Sequence, residues 1–577
     1  MVWLSNRLSL RLGVVVTIAL LSCGIDKDIG ADIKAGSDLG GVAVDGGADA
    51  TPDVDSDATA GPDEDIAVDT GADTTVDQGA DIVEDLGEGV VADLGEEVAA
   101  DLGEDLVTDL GEDHGEDIAE TLTEEVHEDV GEDTTAEPGI DVGSDDTASP
   151  GECATAFSGT FFITNQADVD TLLPYCELIG DLFIDSTTLT SIELPALTRI
   201  GGSLMLMNNT SLTSLALPAL TAVDTNFAMV GNGLLAVHLP VLTQVGSNMI
   251  VKNNAAVLSL EFPALVSVTD DLYIGEHASL TSLDLSSLES VQGYLSFMEN
   301  AVLTSFELPE LTTAGLDLDV SGNLALTAFQ APALEQIGGA LWVTENASLT
   351  TFTLPLPSSV GADLWVEANP ELTSFDLPAL NQIGGTFGVI NNGVLALELS
   401  SLTEIGNHIL VQENQALASV SMPSLVTVAE KIHIYENPVV SSFAFPALTS
   451  VGNDLWLKDH PLLSSLNMNA LTTVGGQLTL SSNTGLVSFS LPLLASLGAG
   501  LSIVNNENLN SFSLPLLTAV GGDIFTSWNP ALAQCLIDAL VEQLQAAGGI
   551  SGSVSASYNN NACTCAEVAG VVEASCP

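Results

Sequence analysis

The sequence predicts an all-β protein: a parallel β-helix or solenoid of about sixteen 23-residue turns, with a C-terminal capping helix and a disordered acidic N-terminal stalk. Three observations carry this. First, one phrase recurs from Pro195 to Pro515: leucine, proline, leucine, a Val/Ile-Gly pair, an apolar-x-apolar pair, then asparagine. Second, the phrase keeps its frame. Counted from the proline, anchors fall at 195, 218, 240, 263, 286, 309, 332, 355, 378, 400, 423, 446, 469, 492 and 515, spaced by 23 residues twelve times and 22 twice. Ser286, Ser400 and Asn469 replace proline without a slip. Third, fourteen residues after each anchor stands one column: Asn209, Asn232, Asn254, His277, Asn300, Asn323, Asn346, Asn369, Asn392, Asn414, Asn437, His460, Asn483, Asn506 and Asn529. A unit this short cannot bury its own apolar face, so copies must stack.

The chain opens on a different signal. Arg7 and Arg11 flank the apolar run Leu12 to Leu21, which is too short to span a bilayer, so residues 1–23 read as an export signal peptide. Residues 24–150 hold 41 of the chain's 79 acids, with copies of Asp-Leu-Gly-Glu at 85, 93, 101 and 109. Without Phe or Trp, such a tract cannot bury enough surface to offset chain entropy, and it reads as an expanded stalk. No EF-hand spacing occurs in it, and whether the stalk gathers divalent cations more loosely is left open. His114 and His127 lack neighbours at metal-ligand spacing.

The solenoid is expected over 151–529. Gly159 to Ile163 reads as its first strand, and Cys153 and Cys176 flank the first turn, suiting a disulfide that closes the exposed end. Within each repeat, positions −3 and −1 from the anchor and positions +9 and +11 are apolar and alternate with polar residues, the period-2 mark of strands with one buried face. The proline and the glycine at +6 are expected to bend the chain between them. The Asn column is expected to satisfy corner backbone groups as a structural ladder. Successive turns about 4.8 Å apart give a rod roughly 75 Å long.

After Asn529-Pro530 the pattern changes. Leu532, Cys535, Leu536, Leu540 and Leu544 recur at three or four, Pro530 suits a first helical position, and Gly548-Gly549 stops the run. Residues 530–577 are therefore expected to form a capping helix and a disulfide-rich tail. There Cys535 reaches Cys563 or Cys565, and the remaining one pairs with Cys576. Zinc is the competing use of these cysteines, and an exported chain favours disulfides.

A net charge of −71, with eight Lys+Arg, excludes nucleic acid as a partner, since it demands a basic face. No catalytic residues, metal ligands or cofactor motifs are assigned. The folded part holds four cations, Arg199, Lys252, Lys431 and Lys458, and no Ser-His-Asp spacing or phosphate loop. A file of acids at position −2 (Glu193, Glu261, Asp284, Glu307, Asp376 and Glu398) is read first as a solvated face. Position +10 should point outward, and it carries Tyr273, Trp342, Trp365 and Trp456, with Lys431 and Lys458 on the same sheet. A contiguous aromatic stripe marks a contact surface, and these six residues are the candidate binding site.

Two resemblances add to this reading. Leu20-Leu21-Ser22-Cys23 resembles a lipobox, which implies a lipidated Cys23 as mature N-terminus and an anchor that does not span the membrane. Gly24 in place of Asp implies, by the same resemblance, delivery to a bacterial outer membrane. Leu212-Thr213-Ser214-Leu215-Ala216-Leu217-Pro218-Ala219-Leu220 and Ile383-Gly384-Gly385 resemble the receptor L-domain family over about residues 153–530. That family comprises β-helical ligand-binding domains of surface receptors, and its ligand contacts form no transferable motif. A leucine-rich repeat is the rival fold. The resulting expectation is a lipid-anchored cell-surface recognition or adhesion protein, non-enzymatic, facing outward and binding an extracellular glycan or protein ligand. A non-binding structural spacer and a glycan-acting enzyme are the alternatives.

Overall fold

Each turn lays down three short parallel strands, and the turn around Pro332 shows why. In the computed structural model these are Ala328–Gln330, Gln336–Ile337 and Leu341–Thr344. Phe329, Ala331, Leu334, Ile337, Leu341, Val343 and Leu349 all point inward and are buried, so every apolar position of the repeat meets at one axis. The next turn repeats the arrangement in register, Leu341 pairing with Leu318 before it and Leu364 after it. The middle strand was not among those read from the sequence. Two residues are too few to show alternation, and only the sheet they join makes them a strand.

The structure describes residues 156–568 and 571–575, with side chains to 565. By contacts the chain divides into Met1–Glu104 and Asp105–Pro577, and the described residues all belong to the second unit. The signal segment 1–23 with Cys23, the stalk 24–150, Cys153 and Cys576 lie outside the described residues.

The four-residue strands, led by the two-residue strand Phe161–Phe162, form one unbroken parallel sheet that ends at Val554–Ser557. The two-residue strands form a second, from Phe157–Ser158 to Ala519–Val520. Strands before the anchors make a third wall of shorter runs. Inside that wall Phe306, Phe329, Phe352 and Phe375 stack with centroids 5.7, 5.4 and 5.3 Å apart, a spacing set by the strand repeat.

The glycines at +6 serve a purpose beyond bending. A Cβ on Gly361 would lie 1.9 Å from the carbonyl oxygen of Gly338, and one on Gly384 2.0 Å from that of Gly361. Successive turns touch backbone to backbone at this corner, so a side chain has no room.

Both ends are closed by helices. Helix α1, Gln166–Leu172, was not expected. Asn165 and Asp168 form a capping box at its start, and Val169 and Leu172 are buried. Seven residues hold too few turns to show a 3.6-residue period in sequence. Helix α2, Gln534–Ala547, buries Leu536, Ile537, Leu540 and Leu544 and ends at Gly548 in the left-handed conformation. Its N-cap is Ala533, so Pro530 precedes the helix by a short turn instead of opening it. The reason is the ordinary ladder-corner turn, in which the Leu532 N–H donates to the Asn529 carbonyl (2.9 Å) as the Leu372 N–H does to that of Asn369 (3.1 Å). After α2 the chain returns to the rod: Val554–Ser557 pairs with Ile524–Ser527. The solenoid thus takes one more strand from beyond residue 529. An antiparallel hairpin, Thr564–Val568 with Val571–Ser575, follows.

Cys535 and Cys565 are bonded, resolving the open choice between Cys563 and Cys565. Cys176 and Cys563 are disulfide-bonded as well, with cysteines outside the described residues.

Candidate functional site

The asparagine column is internal. All fifteen side chains are buried, and each ties its turn to the one before. Asn369 Nδ2 donates to the carbonyls of Val343 (2.8 Å) and Glu367 (2.9 Å) and to Asn392 Oδ1 (3.0 Å). Its Oδ1 accepts the Asn346 backbone N–H at 3.0 Å. One amide therefore satisfies groups that the corner leaves without strand partners.

The two histidines imitate this incompletely. His277 Nδ1 accepts the Asn254 N–H (3.2 Å) and Nε2 donates to the Val251 carbonyl (3.1 Å), which fixes the Nε2–H tautomer. His460 Nε2 donates to the Ile434 carbonyl (3.1 Å), yet its Nδ1 has no partner among the described residues, and neither has Asn300 Oδ1 next to His277. Burial pushes both imidazoles down to about 4, so they are neutral above that pH.

The ladder is longer than the sequence showed. Thr187 donates its N–H to Asn209 Oδ1 (2.9 Å) in the first turn. At the other end Asn529 Nδ2 donates to Asn559 Oδ1 (3.2 Å), and Asn559 Nδ2 to the Thr526 carbonyl (3.1 Å). Helix α2 separates Asn559 from its column, so no period could find it. A second ladder at +8 also went unnoticed: Asp181, Asp317, Asp363 and Asp454 each accept the +8 N–H of the next turn, at 2.7, 2.7, 2.5 and 2.6 Å. The recurrence of Asp in that column was its available signal.

The aromatic column departs from expectation. Trp342 and Trp365 do stack, with centroids 6.1 Å apart and planes within 4°. They lie outside the central core, in a separate cluster with Ile390, Leu410 and Tyr435. Yet Trp365 is only 3% exposed and Tyr273 only 5%, while Trp342 and Trp456 are half-buried. The rings lie over one another like shingles. A Cβ on Gly388 would meet the Trp365 ring at 2.1 Å, so that glycine is the slot the indole fills. Alternation correctly placed these side chains on the outer face, but it said nothing about rings folding down along the sheet.

A smaller patch stays accessible four turns further on. His433 stacks on Trp456 with centroids 4.0 Å apart, and Lys458 Nζ lies 5.7 Å from the Trp456 ring centroid. Lys431 and Lys458 are half-buried. Among the described residues Arg199 pairs with Asp224 and Lys252 with Glu276, whereas Lys431 and Lys458 have no carboxylate partner. His433 Nε2, Trp456 Nε1 and Gln412 Oε1 are buried without hydrogen-bond partners. Burial, and then Lys431, His408 and Lys458, push the His433 imidazole down to about 3. Burial, followed by the nearby Glu436 and Glu413, raises the Tyr435 phenol to about 12.

The acid file at −2 lies on the third wall, where Glu261 pairs in register with Asp284 and its Oε2 lies 2.8 Å from His238 Nδ1. No group of three His, Cys, Asp or Glu converges at metal-binding distance among the described residues. No protein-family model matches this chain, and no curated protein matches it significantly.

Proposed function

We propose that this chain is a lipid-anchored bacterial cell-surface recognition or adhesion protein. Cys23 holds it to the outer membrane, and a partner docks on the outer face of the main sheet without being chemically changed. One observation carries the choice of face. On a chain of net charge −71, the two cations without a carboxylate partner among the described residues sit together beside Trp456 and His433. The partner that fits is a glycan or protein presenting an acidic group, its apolar part resting on Trp456. A test is binding of immobilised polygalacturonate, with neutral dextran as control, to the chain from residue 24 onward. Lys431→Ala with Lys458→Ala should cut polygalacturonate binding at least tenfold and leave melting unchanged. Equal binding by the parent and the double variant would place recognition elsewhere.

A structural spacer is the second reading, favoured by the burial of Trp365 and Tyr273, two of the four rings in the aromatic row. It predicts no binding in any arm of the same experiment.

A further inference from the structure

The corner residue just before each ladder rung has a left-handed backbone. From Ser186 to Asn505 the fifteen such residues have φ between 49° and 69°, and all are Ser, Asn, Gly, Glu, Asp or Ala. Gly, Asn and Asp suit that conformation best, and the Glu, Ser and Ala corners show that it is also imposed on ordinary side chains, but none of the fifteen carries a ring. The last two corners break the rule. Trp528 (φ 58°) precedes the rung Asn529, and Tyr558 (φ 56°) precedes the rung Asn559. Bulky rings in this region are outliers that survive only where the surroundings over-determine them.

Nothing in the packing demands these rings. Trp528 is 49% exposed and Tyr558 58% exposed, unlike the tucked indole of Trp365. They stack on each other with centroids 4.2 Å apart and planes within 13°. Tyr558 is the corner of the final rung, and no later turn among the described residues covers it. Beside them lies a shallow, open hollow of about 640 Å³, lined also by Pro530, Asn559, Asn560, Asn561 and Ala562. Its floor is held firmly. The Asn560 N–H donates to the Leu532 carbonyl (2.8 Å), the Asn560 carbonyl accepts the Gln534 N–H (3.0 Å), and Asn560 Oδ1 accepts the Ala562 N–H (3.0 Å).

We infer that this corner is a binding site for a neutral sugar, one pyranose ring continuing the Trp528–Tyr558 stack. The chemistry selects this class. A pyranose offers an apolar C–H face to an aromatic ring and hydroxyls, each both donor and acceptor, at its edge. Asn560 and Asn561 carry amides that can answer both roles. No charged residue lines the hollow, so nothing in it would pair with the carboxylate of an acidic sugar. A quaternary ammonium would want ring faces on several sides, but these two rings are nearly parallel and form no box. A floor fixed beforehand keeps the ordering cost of binding low. The site shares no residue with the patch at Lys431 and Lys458, so either can fail without the other.

The test uses the chain from residue 24 onward and three neutral tetrasaccharides as probes: β-1,4-linked glucose, β-1,4-linked N-acetylglucosamine and α-1,4-linked glucose. Binding is followed by tryptophan fluorescence and calorimetry, with tetramethylammonium as a fourth probe. At least one tetrasaccharide should bind saturably, and Trp528→Asn or Tyr558→Asn should weaken it at least tenfold. Asparagine suits the left-handed corner, as at Asn208 and Asn505, so each variant should melt at or above the parent's temperature. Tyr558→Phe should bind within threefold of the parent. Three results would overturn the site: no tetrasaccharide binding, binding unchanged in both Asn variants, or tetramethylammonium binding lost in those variants while no sugar binds. A fall in melting temperature in both Asn variants would show that the rings are there for packing and would equally defeat the inference.

Discussion

In a volume closed to water, Asn369 Nδ2 has three acceptors within hydrogen-bond distance, so one of its two N–H groups is shared between two of them, and its oxygen accepts one further bond. Asn369→Ala leaves the Asn346 N–H and the Val343 carbonyl without these bonds, and should cost about 1–3 kcal/mol in denaturant melts. The two histidine rungs make the complementary case. Their folded pKa of about 4 lies below the ordinary 6.5, so between those values the unfolded chain binds protons that the folded chain refuses. Stability contributed by the neutral rings is whole above pH 6.5 and drains away as pH falls toward 4, by about 3 kcal/mol per ring. His277→Asn should therefore shrink the loss of melting temperature between pH 7 and pH 4.5 relative to the parent. It should also raise stability at pH 7 by giving Asn300 Oδ1 a partner. An unaltered pH profile would mean that His277 reaches water in the folded state.

Among the elements, the main sheet behaves differently on its two faces. Its inner residues, such as Leu341 and Val343, meet the core axis, while its outer rings pack on one another as a second, thinner apolar layer. That layer has a stability role: Trp365 is nearly fully buried and fills the slot over Gly388. Trp342→Ala with Trp365→Ala should thus lower stability by about 3–5 kcal/mol, the range for emptying a large buried aromatic site. A double variant melting like the parent would show the rings lie loose on the surface. The +6 corner carries a similar lesson for glycine. Sequence showed a recurring Gly and suggested a bend, whereas the structure shows carbonyl oxygens of one turn pressed against the α-carbon of the next.

The described residues form a stack in which each turn contacts mainly its neighbours, so both ends of the stack must be finished differently from the middle. Helix α1 covers one end; at the other, α2, the strand Val554–Ser557 and the Cys535–Cys565 bond do so. The proposed anchor belongs to this scale too. Cys23→Ser should move the protein from the membrane fraction to a soluble or unprocessed form, read by fractionation and immunoblot. Processed protein still bound to membranes would refute lipidation at Cys23.

The strict 23-residue frame by itself determined the solenoid, the buried rungs from Asn209 to Asn529 and the leucines that fill the axis. Each of these depends on local alternation repeated at fixed spacing, and a period is a property of sequence. What the tertiary structure alone decided lies where the period stops or is silent. Asn559 becomes a rung only because the chain returns after α2, which sets it 30 positions beyond Asn529. Trp365 is buried because its ring lies along the rod axis over a glycine one turn away, and Trp528 and Tyr558 are neighbours for the same geometric reason that Asn529 and Asn559 are. Alternation says which face a side chain leaves from. Only the stacking of turns says what it then meets.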